Sequence, residues 1–159
     1  MTRLGIISDT HGMLRPEVFA IFSGVDLIIH AGDVGPISII TELEAIAPVL
    51  AVYGNTDGFE VRHRCPEKIE TRLDGFDFVV LHGHQLGYPE PRELQQRFPT
   101  AEVIIFGHTH RPLLETVDLV VTVMNPGGAG AERHGLLPSV GIMELEPGIP
   151  PRARLIPIT

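Results

Sequence analysis

The chain has 159 residues, 43% of them hydrophobic and 20% charged, with a formal charge of −8 at pH 7. That length suits one domain with a core that needs no staples, and the acidic balance argues against an extended footprint on a nucleic-acid backbone. Cys65 is the single cysteine, no apolar run reaches the length that spans a bilayer, and the first residues read as a strand without a basic leader. A disulfide scaffold, a membrane anchor and a secretion signal are therefore not expected, and a reducing cytoplasm is.

In chain order, residues 4–8 form an apolar run that predicts a strand, and 16–22 predict a helix with Pro16 in its first turn, where the missing N–H costs little. Residues 27–29 predict a second strand and 37–46 a second helix, with Ile39, Ile40, Leu43 and Ile46 at helical spacing and Pro48 just beyond. A third strand follows over 49–53. Strand and helix alternating in this way imply right-handed crossovers and a parallel sheet. The second half is mostly strand. Segments 68–73 and 76–81 flank Asp74-Gly75, a hairpin signal. A short helix is expected over 91–98, and strands over 103–106, 112–116, 119–124, 140–145 and 153–158. The glycine-rich stretch 126–138 reads as the longest loop and a mobile one. The whole is expected to be one α/β domain over 1–159, two packed mixed sheets flanked by helices.

Six of the apolar runs end in Asp, His or Asn beside a glycine. The endings are Asp9-Thr10-His11, His30-Ala31-Gly32-Asp33, Gly54-Asn55-Thr56-Asp57, His82-Gly83-His84, Gly107-His108-Thr109-His110 and Asn125-Pro126-Gly127-Gly128. His108 and His110 are two residues apart, and an extended backbone would point both imidazoles the same way. Taken singly, Asp9, His11, Asp33 and Asn55 read as ordinary caps and turns. Recurrence at six strand ends gathers them along one edge. Asp9, His11, Asp33, Asn55, His82, His108 and His110 offer only oxygen and nitrogen donors, too many for one tetrahedral ion and suited to two. A central carboxylate, Asp33, would bridge ions roughly 3.5–4 Å apart. With no thiolate in any motif the donors suit Mn²⁺ first, then Ni²⁺, Fe or Zn²⁺, and Mg²⁺ less well because several ligands are imidazole. Asp57 is expected behind the ligands or as a cap. His84 is read equally as a contact to substrate phosphate and as a support of the His82 loop. His30 is expected to support its strand end, His63 and His134 to lie on the surface or in loops, and Cys65 to be a small packed residue.

These motifs, taken in order from Asp9 to His110 and extended by Asn125-Pro126-Gly127, resemble the calcineurin-like metallophosphoesterase superfamily, and in length its small single-domain phosphodiesterase branch. The resemblance implies a four-layer α-β-β-α sandwich. It also implies one ion held by Asp9, His11, Asp33 and His110 and another by Asp33, Asn55, His82 and His108. A hydroxide between the ions would attack phosphorus, and both ions would stabilise the charge that develops on the phosphoryl oxygens. Two departures from the pattern matter. Thr56 stands where relatives that are protein phosphatases carry a histidine, and Gly127-Gly128-Ala129-Gly130 stands where relatives often carry a serine. General acid catalysis is worth ~10²–10⁴-fold, so the missing imidazole favours a phosphodiesterase over a phosphoprotein phosphatase.

The expected function is therefore a binuclear metal-dependent phosphodiesterase on small or nucleotide-like diesters. The alternatives are a phosphomonoesterase on the same site and a non-catalytic binding scaffold like the retromer subunit that resembles this branch. The expected partner is a small phosphoester substrate, without an extended nucleic-acid surface or a membrane, and a homo-oligomer is compatible with the sequence.

Overall fold

The computed structural model describes residues 1–159. Its elements are β1 (Thr2–Ile7), α1 (Glu17–Ile21), β2 (Leu27–His30), α2 (Ser38–Glu44), β3 (Val49–Ala51), α3 (Phe59–Arg64), β4 (Lys68–Leu73), β5 (Phe76–Leu81), a 3₁₀ turn (His84–Leu86), α4 (Pro91–Arg97), β6 (Val103–Ile105), β7 (Leu113–Val117), β8 (Val121–Asn125), β9 (Ser139–Glu146) and β10 (Ile149–Pro157). They form two five-stranded sheets, ordered β10-β9-β1-β2-β3 and β4-β5-β6-β8-β7. In the first, β1, β2 and β3 run parallel and β9 and β10 antiparallel. In the second, β5, β6 and β8 are parallel, and β4 and β7 are antiparallel edges.

The inner strands read as continuous apolar runs because both of their faces are covered. Leu4, Ile6 and Ile29 of the first sheet meet Phe78, Val80, Val103 and Ile105 of the second in a core between the sheets. The alternate residues point outward. Ile28, Val140 and Ile142 pack with Val18 and Phe22 of the α1 region and with Ile39, Ile40 and Leu43 of α2. Val79, Leu81, Ile104 and Val123 pack with Leu94 of α4. The result is the expected four layers, helix, sheet, sheet, helix.

The boundaries depart from the sequence expectation where local chemistry rules. Pro16 caps α1 rather than starting its first turn. Segment 59–64, for which the sequence predicts no element, is α3. It is one and a half turns long, too short to show a period, and is held because Val61 and Cys65, four residues apart, both reach the core. Strand β10 begins at Ile149, not 153. As an edge strand it accommodates Pro150-Pro151, where the register slips between Ile149 and Arg152. Loop 126–138 is two things. Its first part is buried and pinned, with the Ala129 N–H on the Ser8 carbonyl (2.9 Å) and the Gly130 N–H on that of Asp9 (3.3 Å). Residues 131–135 are exposed, and a bridge between Arg133 and Leu136 closes the loop.

Candidate metal centre

The carboxyl ends of the parallel strands of both sheets meet at one edge, where open α/β sheets place their ligands. Asp9 and His11 follow β1, Asp33 follows β2, Asn55 follows β3, His82 follows β5, and His108 and His110 follow β6. Backbone bonds weld the turns together. Asp9 N–H donates to the Gly32 carbonyl, His11 N–H to that of Asp33 and Gly107 N–H to that of His82. Five of these residues, Asp9, His11, Asp33, His108 and His110, hold left-handed backbone with φ between 47° and 70°. Such conformations are sparsely populated by residues other than glycine and cost roughly 1–3 kcal/mol each, so the surrounding bonds must impose them.

Two groups of donors result. The ligand atoms of Asp9, His11 and His110 lie within 4.8 Å of one another, and so do those of Asp33, His82 and His108. His108 and His110 therefore do not act as a pair. The chain has left the strand at Phe106, both residues are left-handed, and their rings serve different groups. Each carboxylate divides its oxygens. Asp9 Oδ2 accepts from Ser8 Oγ at 2.7 Å and His108 N–H at 3.1 Å, while Oδ1 faces His110 Nε2 at 3.4 Å and His11 and His82 Nε2 at 3.8 Å. Asp33 Oδ1 accepts from Thr56 N–H at 2.9 Å. Its Oδ2 lies 3.7 Å from His11 Nε2 and 3.2 Å from His82 Nε2, between the two groups. Asn55 lines the same cleft beside Asp33 and Thr56. The third strand end approaches so closely that a Cβ on Gly54 would lie 2.1 Å from Asp33 Oδ1.

The residues behind the donors are ordered as well. His82 Nδ1 donates to the Ala31 carbonyl at 2.7 Å, which leaves Nε2 as the lone-pair nitrogen facing the cluster. His30 is buried as expected, with Nδ1 accepting from Gly32 N–H and Nε2 meeting Thr10 Oγ1, both at 3.1 Å. Asp57 accepts from Gly35 and Gly54 N–H and so ties the Asp33 turn to the Asn55 turn. His84 packs its ring 5.4 Å from that of His82. His63 and His134 are exposed, and Cys65 is buried. Ser8 was not singled out in the sequence, although it immediately precedes the motif aspartate. Arg133, on the cleft wall, carried no readable signal.

The electrostatics suit cations. Burial holds His11 and His108 below the ordinary histidine value and His110 down at about 4, so their rings are neutral donors near pH 7. Burial pushes Asp9 up to about 6. Burial would raise Asp33 too, but the His82 imidazole 3.2 Å away holds it below the carboxylate range, and the two carboxylates raise His82 in turn against the effect of its burial. The two carboxylates thus demand positive charge at this point, for which a proton and a cation would compete at His82 Nε2. Asp9 Oδ1 and His82 Nε2 are buried without a hydrogen-bond partner. Such orphaned atoms are costly unless something coordinates them, so the donor set fits divalent metal.

Comparison with known proteins agrees. Residues 2–148 match the calcineurin-like phosphoesterase superfamily domain. A probable metallophosphoesterase of Methanothermobacter thermautotrophicus is 38% identical, the match covering 90% of this chain and 86% of that protein. A phosphodiesterase of Methanocaldococcus jannaschii is 33% identical, over 91% of this chain and 93% of its own. The solved structure of an archaeal phosphodiesterase superposes with a TM-score of 0.78 at 30% identity, covering 98% of this chain and all (100%) of the other. Vps29 of Entamoeba histolytica, solved with zinc, shares the fold with a TM-score of 0.77 at 22% identity, over 98% of this chain and 99% of its own. The layered sheets, the motif order and the match over nearly the whole chain agree: the protein belongs to the calcineurin-like phosphoesterase superfamily.

Proposed function

We propose that the chain is a binuclear metal-dependent phosphodiesterase acting on small or nucleotide-like diesters. The observation that carries this reading is Asp33 Oδ2, which lies between two groups of imidazole and carboxylate donors. One ion would be held by Asp9, His11, Asp33 and His110, the other by Asp33, Asn55, His82 and His108, with Mn²⁺ the best match to the donors. Bound there, the cations would acidify water and offset charge on the phosphoryl oxygens.

The chain's own contribution is positioning. His82 is fixed in one tautomer by the Ala31 carbonyl, and each aspartate is tethered through the oxygen that does not face the cluster. The cleft has a volume of about 950 Å³, enough for a substrate of nucleotide size, and Arg111 and Arg133 on its wall have no carboxylate partner to compete with a phosphoryl group. Thr56 lines the cleft where an imidazole acid would stand in a protein phosphatase, so leaving alcohols depart without a proton from that position. That favours diesters. The Vps29 fold makes a scaffold the competing reading; orphaned Asp9 Oδ1 and His82 Nε2 suit metal in both, and turnover separates the two.

The test is turnover of bis-p-nitrophenyl phosphate against p-nitrophenyl phosphate with Mn²⁺, Ni²⁺, Zn²⁺ and Mg²⁺ in turn, alongside elemental analysis of the loaded protein. Two metals per chain and preferential diester cleavage with Mn²⁺ are expected. Faster monoester cleavage would overturn the diester assignment, and metal bound without any turnover would favour the scaffold.

A further inference from the structure

The cleft has unlike walls. On the side of His11 and His110 stands Arg133. Its side chain lines the cleft together with both rings and has no carboxylate partner. On the side of His108 stands Tyr88, its ring centroid 5.7 Å from that of His108 and inclined by 34°. Tyr88 is 77% exposed, and its hydroxyl has no hydrogen-bond partner within the chain. An aromatic side chain left in water beside a catalytic-type cluster makes no return to the core. The backbone nevertheless limits where it can go. Gly87, at φ +74°, turns the chain, and Pro89, buried against the Gly83 region, restricts Tyr88 to extended conformations. The ring is thus presented to the cleft by a segment anchored on its Pro89 side, which lowers the cost of ordering it for stacking.

We propose that Tyr88 is the platform for a planar aromatic arm of the substrate, which makes the site selective for diesters bearing a nucleobase or aryl group over aliphatic diesters. The inference rests on the phosphodiesterase reading above and narrows its substrate class. The phosphate would lie at the metal ligands, one arm's ring would stack on Tyr88, and Arg133 would face the phosphoryl charge from the other wall. Tyr88 touches the arm rather than the reacting atoms, so it is a specificity-determining residue. Its loss should raise KM more than it lowers kcat.

The experiment compares wild type, Tyr88→Phe and Tyr88→Ala, loaded with Mn²⁺, on thymidylyl-thymidine and on glycerophosphoethanolamine. Both have alkoxide leaving groups, so the comparison reports the arm and not the chemistry. Base–aromatic stacking corresponds to roughly 5- to 150-fold per base, which sets the expected loss of kcat/KM for Tyr88→Ala on the dinucleotide. Tyr88→Phe should keep wild-type selectivity, and glycerophosphoethanolamine should be cleaved by all three within about threefold. Calorimetry with AMP and with glycerol 3-phosphate supplies a readout without turnover. AMP should bind more tightly to wild type, and Tyr88→Ala should abolish the difference. Equal losses on both diesters, an undiminished dinucleotide rate, or AMP affinity indifferent to Tyr88 would each overturn the proposal. A wild type that cleaves neither diester would sink the phosphodiesterase reading, and the calorimetry would still decide for or against Tyr88.

Discussion

Replacing His30 with glutamine should flatten the acid limb of the protein's stability curve. His30 is fully buried and both of its ring nitrogens are committed. Nδ1 accepts from Gly32 N–H, and Nε2 donates to Thr10 Oγ1 because that hydroxyl gives its own proton to the Val34 carbonyl at 2.7 Å. A second proton, on Nδ1, would be forced against the Gly32 N–H. Burial accordingly holds this histidine down at about 3, against 6.5 for an ordinary one. The folded state favours the neutral ring, so its contribution is complete above pH 6.5. It then declines as the pH falls and levels off below about 3. The slope approaches about 1.4 kcal/mol per pH unit once the unfolded ring is protonated, so acidification from pH 6.5 to 4.5 removes about 2 kcal/mol. A domain of this kind has only about 5–15 kcal/mol in all. Glutamine cannot titrate. The variant should be weaker at neutral pH by about 1–3 kcal/mol for its disturbed hydrogen bonds, yet lose less on acidification. Urea unfolding of both proteins at pH 6.5 and 4.5 in excess chelator measures this directly. Asp9, raised to about 6 by burial, responds in the opposite sense but is common to both proteins and cancels in the difference. Two curves that fall in parallel would refute the reasoning.

Asp33→Asn should strip both metals, because the amide keeps the bond from Thr56 N–H and turns its NH₂ toward His11 and His82. Elemental analysis should fall from two metals per chain toward none, and diester turnover by more than the ~10–100-fold typical of residues that merely support a ligand. Gly54→Ala would set a Cβ 2.1 Å from Asp33 Oδ1 and 2.4 Å from its backbone N. Displacing that turn should cost about 1–3 kcal/mol, seen as a melting temperature roughly 2–10 °C lower, together with weaker metal loading. Thr56→Ala should leave turnover within about threefold and stability within ~0.5 kcal/mol, since Asp33 is held by the backbone N–H of that residue. A large loss would show that the Thr56 hydroxyl itself acts at the site.

Much of this site is visible in the sequence because strand ends are short and their contents local. The runs before Asp9, Asp33, Asn55, His82 and His108 are apolar on both faces, and the residue delivered to the cleft lies within about four positions of each run's end. What stays hidden depends on long-range bonds. The turns of His108 and His110 look extended from their spacing, but contacts with Ser8, Asp9 and Asn125 bend them left-handed and send the two rings to separate groups. Helix α3 escapes because six residues cannot display a period, and β10 because two prolines mask an edge strand. Arg133 and Tyr88 lie on loops, where the wall each one occupies is decided only when the chain closes on itself.

The tethering of each aspartate through one oxygen has a bearing on how such a protein matures. His108 N–H and Thr56 N–H, groups of the polypeptide alone, aim both carboxylates. Folding can therefore finish before any ion arrives, and one ion can be exchanged for another without the scaffold coming apart. A cell's changing supply of transition elements would then alter how fast the protein works while leaving intact how it is built.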